Sequence, residues 1–188
     1  MGILKIKAGK TIVFIDKANL HYALQEASWE IDYHRLWNWL ITELPQGFIA
    51  YHYEGYFPDK APGMIERAEE AETRKEAKFR FFKKIREIGY IVETKPINSV
   101  YDSTSGSYNR KCNFDVEIAI TALDKIAQYN NAVLFSGDGD FTKLVKYLKG
   151  KFKQTIVISA KKRTSRSILD AANQFINLNN LKDQIERK

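Results

Sequence analysis

The run AVLFSGDGDF (132–141) ends an apolar stretch with two aspartates, Asp138 and Asp140, two residues apart. Carboxylates about 5 Å apart repel by a few kcal/mol in a partly buried site unless a positive charge lies between them. A third aspartate, Asp16, closes the β-branched run TIVFID (11–16), and a fourth, Asp115, opens an apolar stretch that follows a loop. Three or four carboxylates with water suit Mg²⁺ or Mn²⁺, which prefer hard oxygen ligands. A cation held in this way activates a water and neutralises charge on a transferring phosphoryl group. Taken singly, each aspartate also fits a plainer role, because an Asp after a strand commonly caps a helix or closes an Asx turn. The chemical reading depends on their convergence.

Convergence is a matter of the elements. TIVFID and AVLF read as buried strands, joined by FIAYHYEGYF (48–57), YIVETKPI (90–97), residues 155–159 and a short last piece, FINL (175–178). Helical periodicity fills the gaps: DYHRLWNWLITEL (32–44) behind an Asp32 cap, then 63–88, 114–128, 140–149 and 165–172. In the 63–88 stretch Glu66, Glu69, Glu70 and Glu72 come first and Lys78, Arg80, Lys83, Lys84 and Arg86 last. That order complements the helix macrodipole and needs no functional cause. Residues 98–110, NSVYDSTSGSYNR, read as a loop. Strands alternating with helices predict a three-layer α/β/α sandwich with a mainly parallel central sheet. Such sheets bind ligands beyond the carboxyl ends of their strands. Asp16, Asp138 and Asp140 fall at that edge, and Asp115 is placed to join them. With no repeat or linker, 1–188 reads as a single domain with a flexible N-terminus (1–9) and C-terminal tail (180–188).

Composition sets the context. The 188 residues carry a formal charge of +7 with 44% apolar residues, typical of a soluble globular protein apart from the excess of cations. One cysteine, Cys112, permits no internal disulfide, and no Cys/His spacing suggests zinc, so a reducing, cytoplasmic setting is expected. No stretch suits a signal peptide or a membrane span. From Phe141 to Leu169 there is no acidic residue, yet Lys143, Lys146, Lys149, Lys151, Lys153, Lys161, Lys162, Arg163 and Arg166 fall there. So one-sided a run favours a phosphate-backbone partner. An acidic centre ringed by basic surface is what a metal-dependent nuclease requires. His21 and the aromatics carry no motif of their own, although Tyr56 lies near a strand's carboxyl end, and Trp29 to Trp39 suggest a homodimer surface. A haloacid-dehalogenase-type phosphatase would place a second Asp two residues after Asp16, where Ala18 stands.

FIDKANL (14–20), NFDVEIAITALD (113–124) and AVLFSGDGDFTKLVKYLK (132–149) resemble the three signature segments of NYN domains, in the PIN-like nuclease superfamily and nearest its LabA-like branch. GYIVETKPI and ILDAANQFINL are also similar to that family. The resemblance implies a PIN-type sandwich and a Mg²⁺- or Mn²⁺-dependent ribonuclease acting on RNA. By position, Asp16 binds metal, Asn19 hydrogen-bonds in the site, and Asp115, Asp138 and Asp140 complete the catalytic acids. Ser136 orients the turn and contacts phosphate, and Lys111 faces substrate. Lys17 and Lys143 are expected to bind substrate through their own charge, Lys17 alternatively pairing with the carboxylates in partial place of a metal. Two positions depart from the pattern. Thr121 stands where many relatives carry another Asp, and Lys17 replaces a frequent Gly. Loss of that carboxylate supports an alternative: a catalytically weak nucleic-acid-binding regulatory module.

Overall fold

Thr11–Asp16 forms strand β1 and is buried at every position, as a central strand covered on both faces must be. Its side chains alternate between two cores. Val13 and Ile15 join one apolar cluster, while Ile12 and Phe14 join another on the opposite face. The computed structural model describes residues 2–58 and 67–188. After β1 come α1 (Lys17–Ala27), α2 (Tyr33–Glu43), β2 (Phe48–Tyr56), α3 (Ala68–Ile88) and β3 (Ile91–Pro96). Next are β4 (Asn98–Asp102), β5 (Ser107–Lys111), α4 (Asp115–Asp124), β6 (Asn131–Phe135) and α5 (Thr142–Gly150). The chain closes with β7 (Gln154–Ser159), α6 (Arg166–Ala171), β8 (Gln174–Asn177) and α7 (Lys182–Ile185).

Six strands form one parallel sheet in the order β3-β2-β1-β6-β7-β8. Leu20, Leu36, Phe82 and Ile185 place α1, α2, α3 and α7 over one face. Ile118, Val145 and Ile168 place α4, α5 and α6 over the other. This is the α/β/α sandwich expected from the alternation of strands and helices. The strand order reverses between β1 and β6, and a doubly wound sheet opens a crevice at such a switch point. Asp16 ends one of these strands and Ser136 follows the other.

Several expectations change. Residues 98–110 are not a loop: β4 and β5 form an antiparallel hairpin. Tyr101 and Tyr108 face each other across it with ring centroids 5.2 Å apart. Gly106 takes a left-handed φ of +66° and donates its N–H to the Asp102 carbonyl at 2.9 Å, closing the turn. The C-terminal segment is packed and not a loose tail, because Leu181 and Ile185 are fully buried. The N-terminal segment likewise inserts Leu4 into the core. Of the tryptophans, Trp29 and Trp39 are buried, and Trp37, half-buried, packs edge-on against Phe48 and Tyr90. Residues 63–66 of the third expected helix lie outside the described residues. No helix among the described residues is long and apolar enough to cross a membrane.

Candidate metal centre

Asp16 is the N-cap of α1, its Oδ1 accepting from the Asn19 N–H at 3.2 Å. Its Oδ2 accepts from the Ser136 hydroxyl at 3.0 Å. Ser136 is fully buried, and its Oγ accepts in turn from the Asp138 N–H at 3.3 Å. Asn19 completes the latch by accepting the Gly137 N–H at 2.8 Å. Two of these four side-chain contacts tie the end of β1 to the turn after β6, and the other two brace each side locally. Asp138 then caps the 3₁₀ turn Gly139–Phe141 by accepting from the Asp140 N–H at 3.0 Å. Gly137 is required by close approach: a Cβ there would lie 2.6 Å from Ser159 Oγ and 2.7 Å from the Arg163 carbonyl. One on Gly139 would lie 2.8 Å from Ser165 Oγ.

Asp115 opens α4, on the face of the sheet opposite α1, and reaches the same place. Asn113 Oδ1 accepts the Asp115 N–H at 2.8 Å, and Asn113 Nδ2 donates to Asp115 Oδ2 at 2.7 Å. Asn113 is the positioning residue that the sequence argument overlooked. Its signal was the Asn-x-Asp spacing of an Asx turn ahead of the helix. Lys95 braces the segment, donating to the Asn113 carbonyl and pairing with Glu117 at 2.5 Å.

Asp115, Asp138 and Asp140 present ligand atoms within 4.8 Å of one another. Asp16 is not one of this trio; it lies beneath, occupied with Ser136 and Asn19. Burial raises the Asp16 pKa against its hydrogen bonds, and the Asp115 and Asp138 charges add to the rise. Burial likewise raises that of Asp115, with Asp138, Asp140 and Glu117 contributing. Three converging carboxylates, hard oxygen donors whose charges repel one another, fit a divalent cation such as Mg²⁺ or Mn²⁺. The trio would hold it directly, with Asp16 supporting from below.

The remaining residues sort by position. Lys17 is half-buried, and burial lowers its pKa against the attraction of Glu54; its electrostatic neighbours are Glu54, Lys78 and Glu30, not the aspartates. Lys111 ends β5 and Lys143 lies in the first turn of α5, both exposed. Ser136 is too deep to meet a phosphate, so its part is the latch. The basic run divides. Lys161, Lys162 and Arg163 follow β7 at the acidic edge, with Arg163 paired to Glu26 of α1 at 2.9 Å. Lys151 and Lys153 precede β7 at the opposite edge, where Lys153 Nζ donates to the Tyr129 carbonyl at 2.5 Å. Thr121 donates to the Glu117 carbonyl at 2.9 Å inside its own helix. His21 is exposed on α1, and His52 is wholly buried.

A six-stranded parallel sheet between two helical layers, with aspartates at its switch point, is a fold of the PIN-like, NYN type. The NYN domain family model matches residues 10–179, and the chain belongs to that family. It is 28% identical to the low amplitude and bright protein LabA of Synechococcus elongatus, over 98% of this chain and 91% of that protein. A protein of unknown function from Vibrio parahaemolyticus RIMD 2210633, VPA0982, has a similar solved structure: TM-score 0.69 and 23% identity, covering 95% of this chain and 96% of that one.

Proposed function

We propose that this NYN-domain protein is a metal-dependent ribonuclease that hydrolyses phosphodiester bonds of RNA in the cytoplasm. The observation that carries the reading is the trio Asp115, Asp138 and Asp140, with ligand atoms within 4.8 Å of one another at the carboxyl edge of the sheet. A bound Mg²⁺ or Mn²⁺ would supply an activated water and charge neutralisation at the phosphoryl group. The protein's own part is preorganisation. Asn113 orients Asp115, Ser136 and Asn19 fix the Asp138 turn against Asp16, and the raised Asp16 and Asp115 pKa values favour accepting a cation. Lys161 and Lys162 at the same edge, with Lys111 and Lys143 on flanking elements, supply positive charge for the strands of phosphate on either side.

One observation favours a second reading. Thr121, whose hydroxyl donates to the Glu117 carbonyl, is neutral and brings no negative charge where many relatives carry a carboxylate, as a regulatory RNA-binding module would allow. Cleavage of end-labelled single-stranded RNA in Mn²⁺, Mg²⁺ or EDTA decides between the two. Metal-dependent cutting that disappears in Asp138→Asn is the expected result. Salt-sensitive binding with no cutting in any metal would establish the regulatory module instead.

A further inference from the structure

A cavity lies at the same edge of the sheet, between α1, the end of β2, α3 and the β4–β5 hairpin, with a volume of about 640 Å³. That is within the range of sites that enclose one small organic ligand. It adjoins the carboxylates along two segments: Lys17 and Ala18 follow Asp16, and Phe114 precedes Asp115. Two kinds of side chain line it. Lys17, Lys78 and Arg110 bring positive charge, while Tyr22, Tyr56 and Phe57 bring rings. The Phe57 centroid lies 5.1 Å from the Arg74 guanidinium and 5.3 Å from that of Arg110. Tyr56 is held edge-on by Phe79 at 5.1 Å. Glu54 is the one carboxylate among the described lining residues, and it is already engaged by Lys78 and by His52 at 2.7 Å. Burial costs the Lys17 ammonium hydration that an entering anion would restore.

Cations beside aromatic faces complement the two halves of a nucleotide, since any base has a π-face and its phosphate is an anion. We propose that this cavity is a nucleotide subsite. It takes one unpaired nucleotide of the RNA, its base against Tyr56 and Phe57 and its phosphate at Lys17 and Arg110, and so sets the adjoining phosphodiester over the carboxylates. Its role in cleavage rests on the ribonuclease reading; its occupancy by a nucleotide does not.

The test titrates adenosine 5′-monophosphate into the full chain in EDTA, with adenosine and inorganic phosphate in parallel. Wild type is compared with Lys17→Gln, Phe57→Leu and Asp138→Asn, each checked for an intact fold by circular dichroism. The nucleotide is expected to bind more tightly than either fragment and to lose about tenfold in affinity in Lys17→Gln and in Phe57→Leu. Asp138→Asn retains the binding. Equal affinity in wild type and both cavity variants overturns the subsite, as does phosphate binding as well as the nucleotide. Absence of saturation by about 1 mM nucleotide overturns it too. Because no metal or cleavage enters this titration, a protein that fails to cut RNA leaves the result readable, and a failed titration leaves the metal centre standing.

Discussion

The aspartates at the carboxyl edge play three distinct parts. Asp138 caps its turn with one oxygen and belongs to the trio, Asp115 is presented by Asn113, and Asp16 is a buried anchor. Ionising Asp16 beside its neighbours is unfavourable, and the sign of its effect on stability follows. A carboxyl whose pKa is raised by folding contributes stability that is present below its ordinary value of 3.8 and is lost as pH rises through the higher folded value. Asp16→Asn is therefore expected to make the metal-free protein at least as stable as wild type at pH 7, with the difference closing below pH 3.8 in urea denaturation. The same variant is expected to weaken Mn²⁺ binding. Mn²⁺ should also raise the melting temperature of wild type more at pH 7 than at pH 3.8, the ordinary value from which Asp115 is raised, since the ligands must be deprotonated. Ser136→Ala strips Asp16 of a donor and the Asp138 N–H of an acceptor. A loss of about 1–2 kcal/mol in stability is expected by the same denaturation measurement.

At the scale of elements, the turn after β6 and the C-terminal helix answer to different forces. Gly137 sits against the Arg163 carbonyl and Thr164 Cα, backbone atoms that cannot swing aside. Gly137→Ala is expected to cost about 1–3 kcal/mol and to lower metal affinity by shifting Asp138, read by thermal melting and Mn²⁺ titration. Helix α7 contributes burial, and its Asp183 and Ile185 carbonyls also accept from the Arg35 guanidinium and the Asp32 N–H. Truncation after Leu178 removes the fully buried Leu181 and Ile185, worth about 1.5–3 kcal/mol each, and the melting temperature should fall accordingly. The β4–β5 hairpin has the opposite character. Its residues are almost all exposed, and a two-stranded sheet is marginal by itself. Hydrogen exchange should find its amides opening far more readily than those of β1 and β6, leaving Arg110 and Lys111 on the most adaptable wall of the site.

Over the whole molecule, negative charge is concentrated at the switch point of a chain with net charge +7. Only part of the basic run reaches that edge, so the count of lysines overstates the binding surface. Each phosphate contact on a single strand contributes about 0.7 to the slope of log affinity against log salt. Replacing Lys161 and Lys162 together by glutamine is expected to reduce that slope by between one and two, whereas Lys151→Gln at the opposite edge should leave it unchanged. Fluorescence anisotropy across a salt series reads both.

Much of this was legible in the sequence because it depends on local pattern. Unbroken apolar runs such as TIVFID and AVLF mark strands covered on both faces, and their alternation with amphipathic helices leaves few topologies other than a parallel sandwich. An aspartate directly after such a run must lie at the carboxyl edge, so Asp16, Asp138 and Asp140 could be placed there from spacing alone. Residue types in 98–110 were no guide, because Ser, Thr and Gly suit a hairpin's turn as well as a loop's and cross-strand pairing is not local. The burial of Trp29, Trp39, Leu181 and Ile185 was hidden for a related reason: an apolar residue shows what it avoids and not what covers it. Only the tertiary structure separated Asp16 from the trio and gave Ser136 to the latch. It also divided one basic run between two edges, because those outcomes depend on contacts between residues up to 137 positions apart in the chain.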